Sequence, residues 1–278
     1  MRHGYLSLII IFLLANACAF ACPIHHKRLV SLAPDLTEIL YALELENQLI
    51  AVSDYSDYPK EAQKKPRIGS FISPNLEKIL SFKPDIVFAR DGATPPQLIH
   101  ALKQNKVEIL SFPANHEDDI YQTLENIGEK FKREKKARGI IQSMKSEIES
   151  VKRRKLKHKP KVLVELEELP MIVAGRHTLI AKAIELAGGI NAANAYRQYP
   201  TLQLEAAYQL NPDLVIIPIT QRNRKEERKK RGDIETQWKG MKHLKGIYEI
   251  DANLVSRASP RFAEGVKQLA QIFDSAGQ

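Results

Sequence analysis

The strongest constraint in this chain is an internal echo. Asn75 to Ala89 reads NLEKILSFKPDIVFA, and Gln203 to Pro218 reads QLEAAYQLNPDLVIIP. Leu76, Glu77, Pro84, Asp85 and Val87 return as Leu204, Glu205, Pro212, Asp213 and Val215, each 128 positions later. Phe82 and Ile86 fall on Leu210 and Leu214 at the same offset. Each copy is a short apolar helix stopped by Pro-Asp and followed by a buried aliphatic run, the grammar of an α/β layer. Two copies so far apart predict two similar lobes rather than one continuous sheet.

The flanking segments fit that reading. RLVSLAP (Arg28 to Pro34) is a short β-type run, and DLTEILYALEL follows at helical spacing with Asp35 placed to cap. LIAVSDYSDYP reads as strand then loop, Pro95 to Lys103 as helix, and VEILSFP as strand. The second half repeats the alternation: KVLVEL, HTLIAKAIELAGG, GIYEID and the closing PRFAEGVKQLAQIF. Strands alternating with helices predict parallel, Rossmann-like sheets. Between the halves, Arg133 to Leu156 is free of proline and carries Ile140, Ile141, Met144, Ile148 and Val151 on one stripe. A helix over that span is about 35 Å long and makes a stiff connector that limits hinge motion. The expected organisation is an N-terminal lobe over 22–132, a linking helix over 133–158 and a C-terminal lobe over 159–278.

The first 21 residues read as an export signal. Arg2 and His3 precede the apolar run Leu6 to Leu14, and Ala19-Phe20-Ala21 offers a small-x-small cleavage site. The run is short for a membrane span. Cleavage near Ala21 leaves a periplasmic chain with Cys22 as its single thiol, hence no internal disulfide. Lipid attachment at Cys22 is the less favoured alternative. The net charge of +9 is concentrated: Lys130 to Lys161 holds 14 Lys/Arg against 3 Asp/Glu, and Gln221 to Arg231 holds 7 against 2. Both runs read as solvated surfaces, with an anionic envelope polymer as the alternative partner. Neither interleaves aromatics, so nucleic acid is not expected.

No G-x-S-x-G, H-E-x-x-H, P-loop or G-x-G-x-x-G occurs, so no catalytic residue or metal ligand set is assigned. Two α/β lobes leave a crevice at their strand C-termini, where ligands bind. The loops that would line it are rich in rings and arginines: SDYSDYP with Tyr58, GSFISPN with Phe71, YRQYPT with Tyr199, and NLVSRASPRF with Arg257. Stiff aromatic loops make flat apolar walls. Glu77 and Glu205 take equivalent places on the two lobes, in the first turn of a helix. The dipole favours a carboxylate there, and a symmetric partner could grip both.

LVSLAPDLTEILYAL, SDYSDYP, NLEKILSFKPDIVFA and SRASPRF together resemble the helical-backbone (class III) periplasmic substrate-binding proteins of ABC importers, the cobalamin-binding members most of all. The resemblance runs in order over nearly all of Arg28 to Phe273. It implies two α/β lobes joined by one backbone helix, and a monomer. It implies a corrinoid in the cleft, lined by Tyr58, Phe71, Arg90, Tyr199, Asn253 and Arg257. It also implies that Glu77 and Glu205 meet arginines of the importer's membrane subunits. Three features depart from the cobalamin pattern. Trp238 is the single tryptophan and lies away from the ring-stacking positions, Asn253 replaces an aspartate, and the family's bridging cysteines are missing. Haem and iron-siderophores are the alternative ligands for the same role, and a non-transport envelope protein using its basic helix is the alternative role.

Overall fold

The computed structural model describes residues 27–156, 158–168, 170–220 and 234–277. The expected signal segment, Cys22 and the basic stretch 221–231 lie outside the described residues.

Two parallel sheets form, one in each half. The first contains β1 (Leu29–Ser31), β2 (Leu49–Val52), β3 (Ile86–Arg90) and β4 (Glu108–Phe112), ordered β2-β1-β3-β4. The second contains β5 (Lys161–Glu168), β7 (Ile190–Asn191), β8 (Leu214–Ile219) and β9 (Gly246–Asp251). There β7 and β8 flank β5, and β9 lies beyond β8, all parallel. The same strand order therefore occurs twice. The second sheet gains β6 (Met171–Val173), an antiparallel addition to the far end of β5 that the sequence pattern did not announce.

The repeated Pro-Asp explains itself in these sheets. Asp85 Oδ2 accepts the backbone N–H of Arg28 at 2.7 Å, and Asp213 Oδ2 accepts that of Lys161 at 2.7 Å. Each aspartate thus pins the residue entering the first strand of its lobe to the start of the third. The residue two positions before each aspartate takes a left-handed turn, Lys83 at φ 45° and Asn211 at φ 48°, which ends the preceding helix. Those helices are α2 (Leu76–Ser81) and α7 (Leu204–Gln209).

Around the sheets run α1 (Pro34–Ala42), α3 (Pro96–Gln104), α4 (Glu117–Lys130), α5 (Glu134–Lys152), α6 (Leu179–Leu186), α8 (Ala252–Ser256) and α9 (Phe262–Ala276). The connector α5 packs on α4 from the first lobe and on α9 from the second. Its 19 residues span about 28 Å, shorter than the sequence suggested. The helix stops because Arg154 turns into the second lobe, donating to Val151, Ala270 and Ala187 carbonyls and to Asp274. Several of its cations are already matched within the chain. Lys136 meets Glu44, Lys152 meets Glu149, and Lys145 sits over the Tyr121 ring.

One apolar core belongs to both lobes. Leu29, Ile86 and Phe88 from the first sheet join Val162, Val164, Leu214 and Ile216 from the second through Ile141, Met144 and Ile148 of α5. The alternate residues of the same strands face outward into lobe-specific clusters: Val30, Val87 and Ala89 in one, Leu163 and Val215 in the other. Full burial on both faces is what a parallel sheet requires of its strands. Among the described residues, no helix is long and apolar enough to cross a membrane.

Candidate functional site

The C-terminal ends of the two sheets meet. Arg90 closes β3, and Arg257 and Arg261 follow β9. These three arginines tie the lobes together. Arg90 Nε donates to Asp35 Oδ2 at 2.9 Å, Nη1 to the Pro113 carbonyl at 2.7 Å, and Nη2 across the boundary to the Ala258 carbonyl at 3.1 Å. Asp35 was expected to cap α1. Ala33 occupies the N-cap with no side-chain bond and Pro34 opens the helix, while Asp35 accepts the first-turn N–H of Leu36 with Oδ1 at 2.9 Å and Arg90 with Oδ2. Arg90 was also expected to line the ligand cavity. It is 6% exposed, and its donors meet Asp35, Pro113 and Ala258, so in this structure it braces the lobes from within.

Glu38 lies one helical turn beyond Asp35 and is the hub of a second cluster. Arg261 grips it with both edges, Nε to Oε2 at 2.9 Å and Nη2 to Oε1 at 2.7 Å. Arg257 Nη1 reaches the same Oε1 at 2.9 Å and also Asp57 Oδ1 at 2.7 Å. Its Nη2 meets the Tyr55 carbonyl at 3.1 Å. The Tyr58 ring covers the Arg261 guanidinium at 3.8 Å. Burial acts against the Arg261 charge, but the Glu38 carboxylate outweighs it and holds the guanidinium above its ordinary pKa. Three guanidiniums thus face three carboxylates of the same chain, Asp35, Glu38 and Asp57. The anticipated ligand contact Arg257 is already partnered, with 12% of its side chain exposed.

Around this floor stand exposed rings. Among the described residues, the exposed large hydrophobics are Tyr55, Tyr58, Phe71, Ile72, Ile190 and Tyr199. All but Ile190 fall on loops at these sheet ends, which concentrates the exposed apolar side chains there. Phe71 and Ile72 cap a tight loop closed by the Gly69–Pro74 bridge. Gly69 has φ +99°, and a Cβ there would stand 2.9 Å from the Ser73 carbonyl oxygen. Tyr199 is carried by a segment stitched to residues 173–176, with Gly175 donating to the Gln198 carbonyl at 2.7 Å. A Cβ on Gly175 would come within 2.6 Å of the Tyr196 oxygen, so glycine permits that approach. Desolvation raises the Tyr199 phenol pKa. Asn253 is half-buried in the first turn of α8, where its N–H is capped by Asp251. Tyr58 also borders a recess of about 790 Å³ with Tyr41, Glu46, Lys65 and Pro260.

Glu77 and Glu205 lie in the first turns of α2 and α7, both exposed. Trp238 is 1% exposed and buried in the second lobe, where it donates to Glu165 Oε2 at 2.8 Å. Glu165 lies on β5; burial raises its pKa, against the lowering effect of the Trp238 and Gln237 donors. Among the described residues, no group of three or more His, Cys, Asp or Glu is placed to hold a metal.

Sequence reasoning missed Glu38 and Asp57. The available signal was weak: a glutamate inside an otherwise apolar helical stripe, and a second Asp-Tyr in SDYSDYP.

Two lobes on a shared helical spine, meeting at ring-studded strand ends, have the architecture of a two-lobed ligand-capture protein. Residues 29–235 match the periplasmic binding protein family model, and the chain belongs to that family. It is a substrate-binding protein of the ABC-importer type. A substrate-binding lipoprotein of Bacillus subtilis, YvrC, whose own ligand is uncharacterized, is 31% identical over 253 residues, covering 88% of this chain and 79% of the relative. The periplasmic vitamin B12-binding protein BtuF of Vibrio cholerae superposes with TM-score 0.74 at 25% identity, covering 90% of this chain and 97% of that one. The periplasmic haem-binding protein RhuT of Roseiflexus sp. RS-1 superposes with TM-score 0.79 at 24% identity, covering 91% and 99%.

Proposed function

We propose that this protein captures a corrinoid in the cleft between its lobes and delivers it to an ABC importer. The observation that carries the ligand class is the charge balance of the floor. An unpaired guanidinium attracts a carboxylate 4 Å away by about 4 kcal/mol at an effective dielectric of 20. Here Arg90, Arg257 and Arg261 are matched by Asp35, Glu38 and Asp57. A floor so balanced offers no net attraction to a dianionic edge. It suits a bulky ring with neutral amides, whose faces Phe71, Tyr199 and Tyr58 can stack and whose edge Asn253 can meet, with Arg257 held behind Asp57. The B12-binding structural relative supports the same choice.

The second reading is haem or an iron chelate. It is favoured by the tyrosine hydroxyls on the cleft loops, since phenolate oxygen is a known axial ligand for haem iron. Glu77 and Glu205 are assigned to docking on the two membrane subunits, where exposed charges steer and orient.

Isothermal titration of the mature protein with cyanocobalamin, haemin and a ferric siderophore tests the ligand. Micromolar or tighter binding of cyanocobalamin is expected, and silence towards it with response to another ligand overturns the corrinoid reading. The pair Glu77→Ala with Glu205→Ala should leave affinity intact and abolish uptake by whole cells. Full uptake by that pair would remove the docking assignment.

A further inference from the structure

Of the three carboxylates that neutralise the floor, two are buried. Side-chain exposure is 11% for Asp35 and 2% for Glu38 but 52% for Asp57. Asp57 alone could be exchanged for a group of the ligand. Its loop is anchored by backbone contacts, Asp57 N–H to the Tyr55 carbonyl at 3.0 Å and Gln63 Nε2 to the Asp57 carbonyl at 2.9 Å. The carboxylate is thereby presented to Arg257 at high effective concentration, ahead of any dissolved competitor. Arg257 Nη1 is shared between Asp57 and Glu38, so removing the Asp57 charge leaves Arg257 with Glu38, which Arg261 also grips, and makes the surface beside the rings one charge more positive.

We propose that Asp57 is a specificity-determining residue: it occupies the place on Arg257 that a ligand carboxylate would take, and so turns away tetrapyrroles with acidic edges. The proposal rests on the cleft being the ring-binding site, and it deepens that reading by naming what excludes the acidic members of the ligand class. A charge-assisted hydrogen bond regained by such a ligand corresponds to about a tenfold change in affinity.

The test compares wild type, Asp57→Asn and Asp57→Asn with Arg257→Gln in titrations with haemin and with haemin dimethyl ester, whose acidic groups are masked. Haemin should bind about tenfold tighter to the asparagine variant, the ester should show no such gain, and the second substitution should cancel it. The proposal is overturned if haemin gains less than twofold (no detectable binding in either form included), if the ester gains equally, or if the gain survives loss of Arg257. Asp57→Ser is the replacement if the asparagine variant fails to fold, with the same expectation. The cyanocobalamin titration of wild type separates the two ideas. A haemin gain in a protein that ignores cyanocobalamin upholds Asp57 and sinks the corrinoid. Tight cyanocobalamin binding with no haemin gain does the reverse.

Discussion

Replacing Glu38 with alanine should weaken the whole molecule more than the loss of an exposed carboxylate would. The carboxylate is 2% exposed and accepts three hydrogen bonds from two arginines. Removing one partner of a buried ion pair costs about 3–5 kcal/mol, because the remaining charge is stranded. Two features lower the figure here. Arg257 keeps Asp57 and the Tyr55 carbonyl, and Arg261 keeps the Tyr58 ring and is 18% exposed along its side chain. The expected loss is therefore about 3 kcal/mol, near the bottom of that range. With a urea dependence of about 2 kcal/mol per molar, the unfolding midpoint should fall by roughly 1.5 M. A double-mutant cycle with Arg261→Ala should return a coupling of at least about 1 kcal/mol, as expected of residues in direct contact. A midpoint shift below roughly 0.3 M, or additive single effects, would refute the claim that Glu38 holds the lobes together.

Two further predictions concern pH and the repeat. Glu165 has its pKa raised by burial, so the native state holds its proton more tightly than the unfolded chain. Stability from this group is therefore present near and below the ordinary value of 4.5 and declines as pH rises through the folded value. Glu165→Gln, which keeps an acceptor for Trp238, should flatten that decline when urea midpoints are compared at acid and neutral pH. Asp213 behaves oppositely. Burial raises its pKa, but the Lys161 N–H and His158 outweigh burial and depress it, so its contribution is present above 3.8 and fades as pH falls through the lower folded value. Asp85→Ala and Asp213→Ala should each cost about 1–3 kcal/mol in urea unfolding, since each leaves a strand-entry N–H without its acceptor. A cost below about 0.5 kcal/mol for both would contradict the pinning role.

The duplicated architecture could be read in the chain because its signals are local. Lys83-Pro84-Asp85 and Asn211-Pro212-Asp213 each build a helix stop and a strand anchor within a few residues. Helix type and order followed from apolar spacing for the same reason. The contacts across the lobe boundary were not legible. Arg257 and Glu38 are separated by 219 positions and Arg90 and Ala258 by 168, and no periodicity reports such pairings. The local role of Asp35, accepting the Leu36 N–H, was readable from its sequence neighbours, whereas its second partner, Arg90, arrives from β3. Phe71 and Tyr199 were legible as loop aromatics flanked by proline. Arg90 was placed in the cleft by resemblance, and the buried carboxylate beside it was the unread term.

The shared core has a consequence for how this chain can be divided. Although its halves look like two copies of one design, α5 contributes Ile141, Met144 and Ile148 to an interior that draws on both sheets. A gene cut on either side of that helix would release a fragment with one sheet face stripped of its cover. The duplication is thus visible in outline but no longer separable in substance, and recombining a half with that of a relative would require the spine to travel with both.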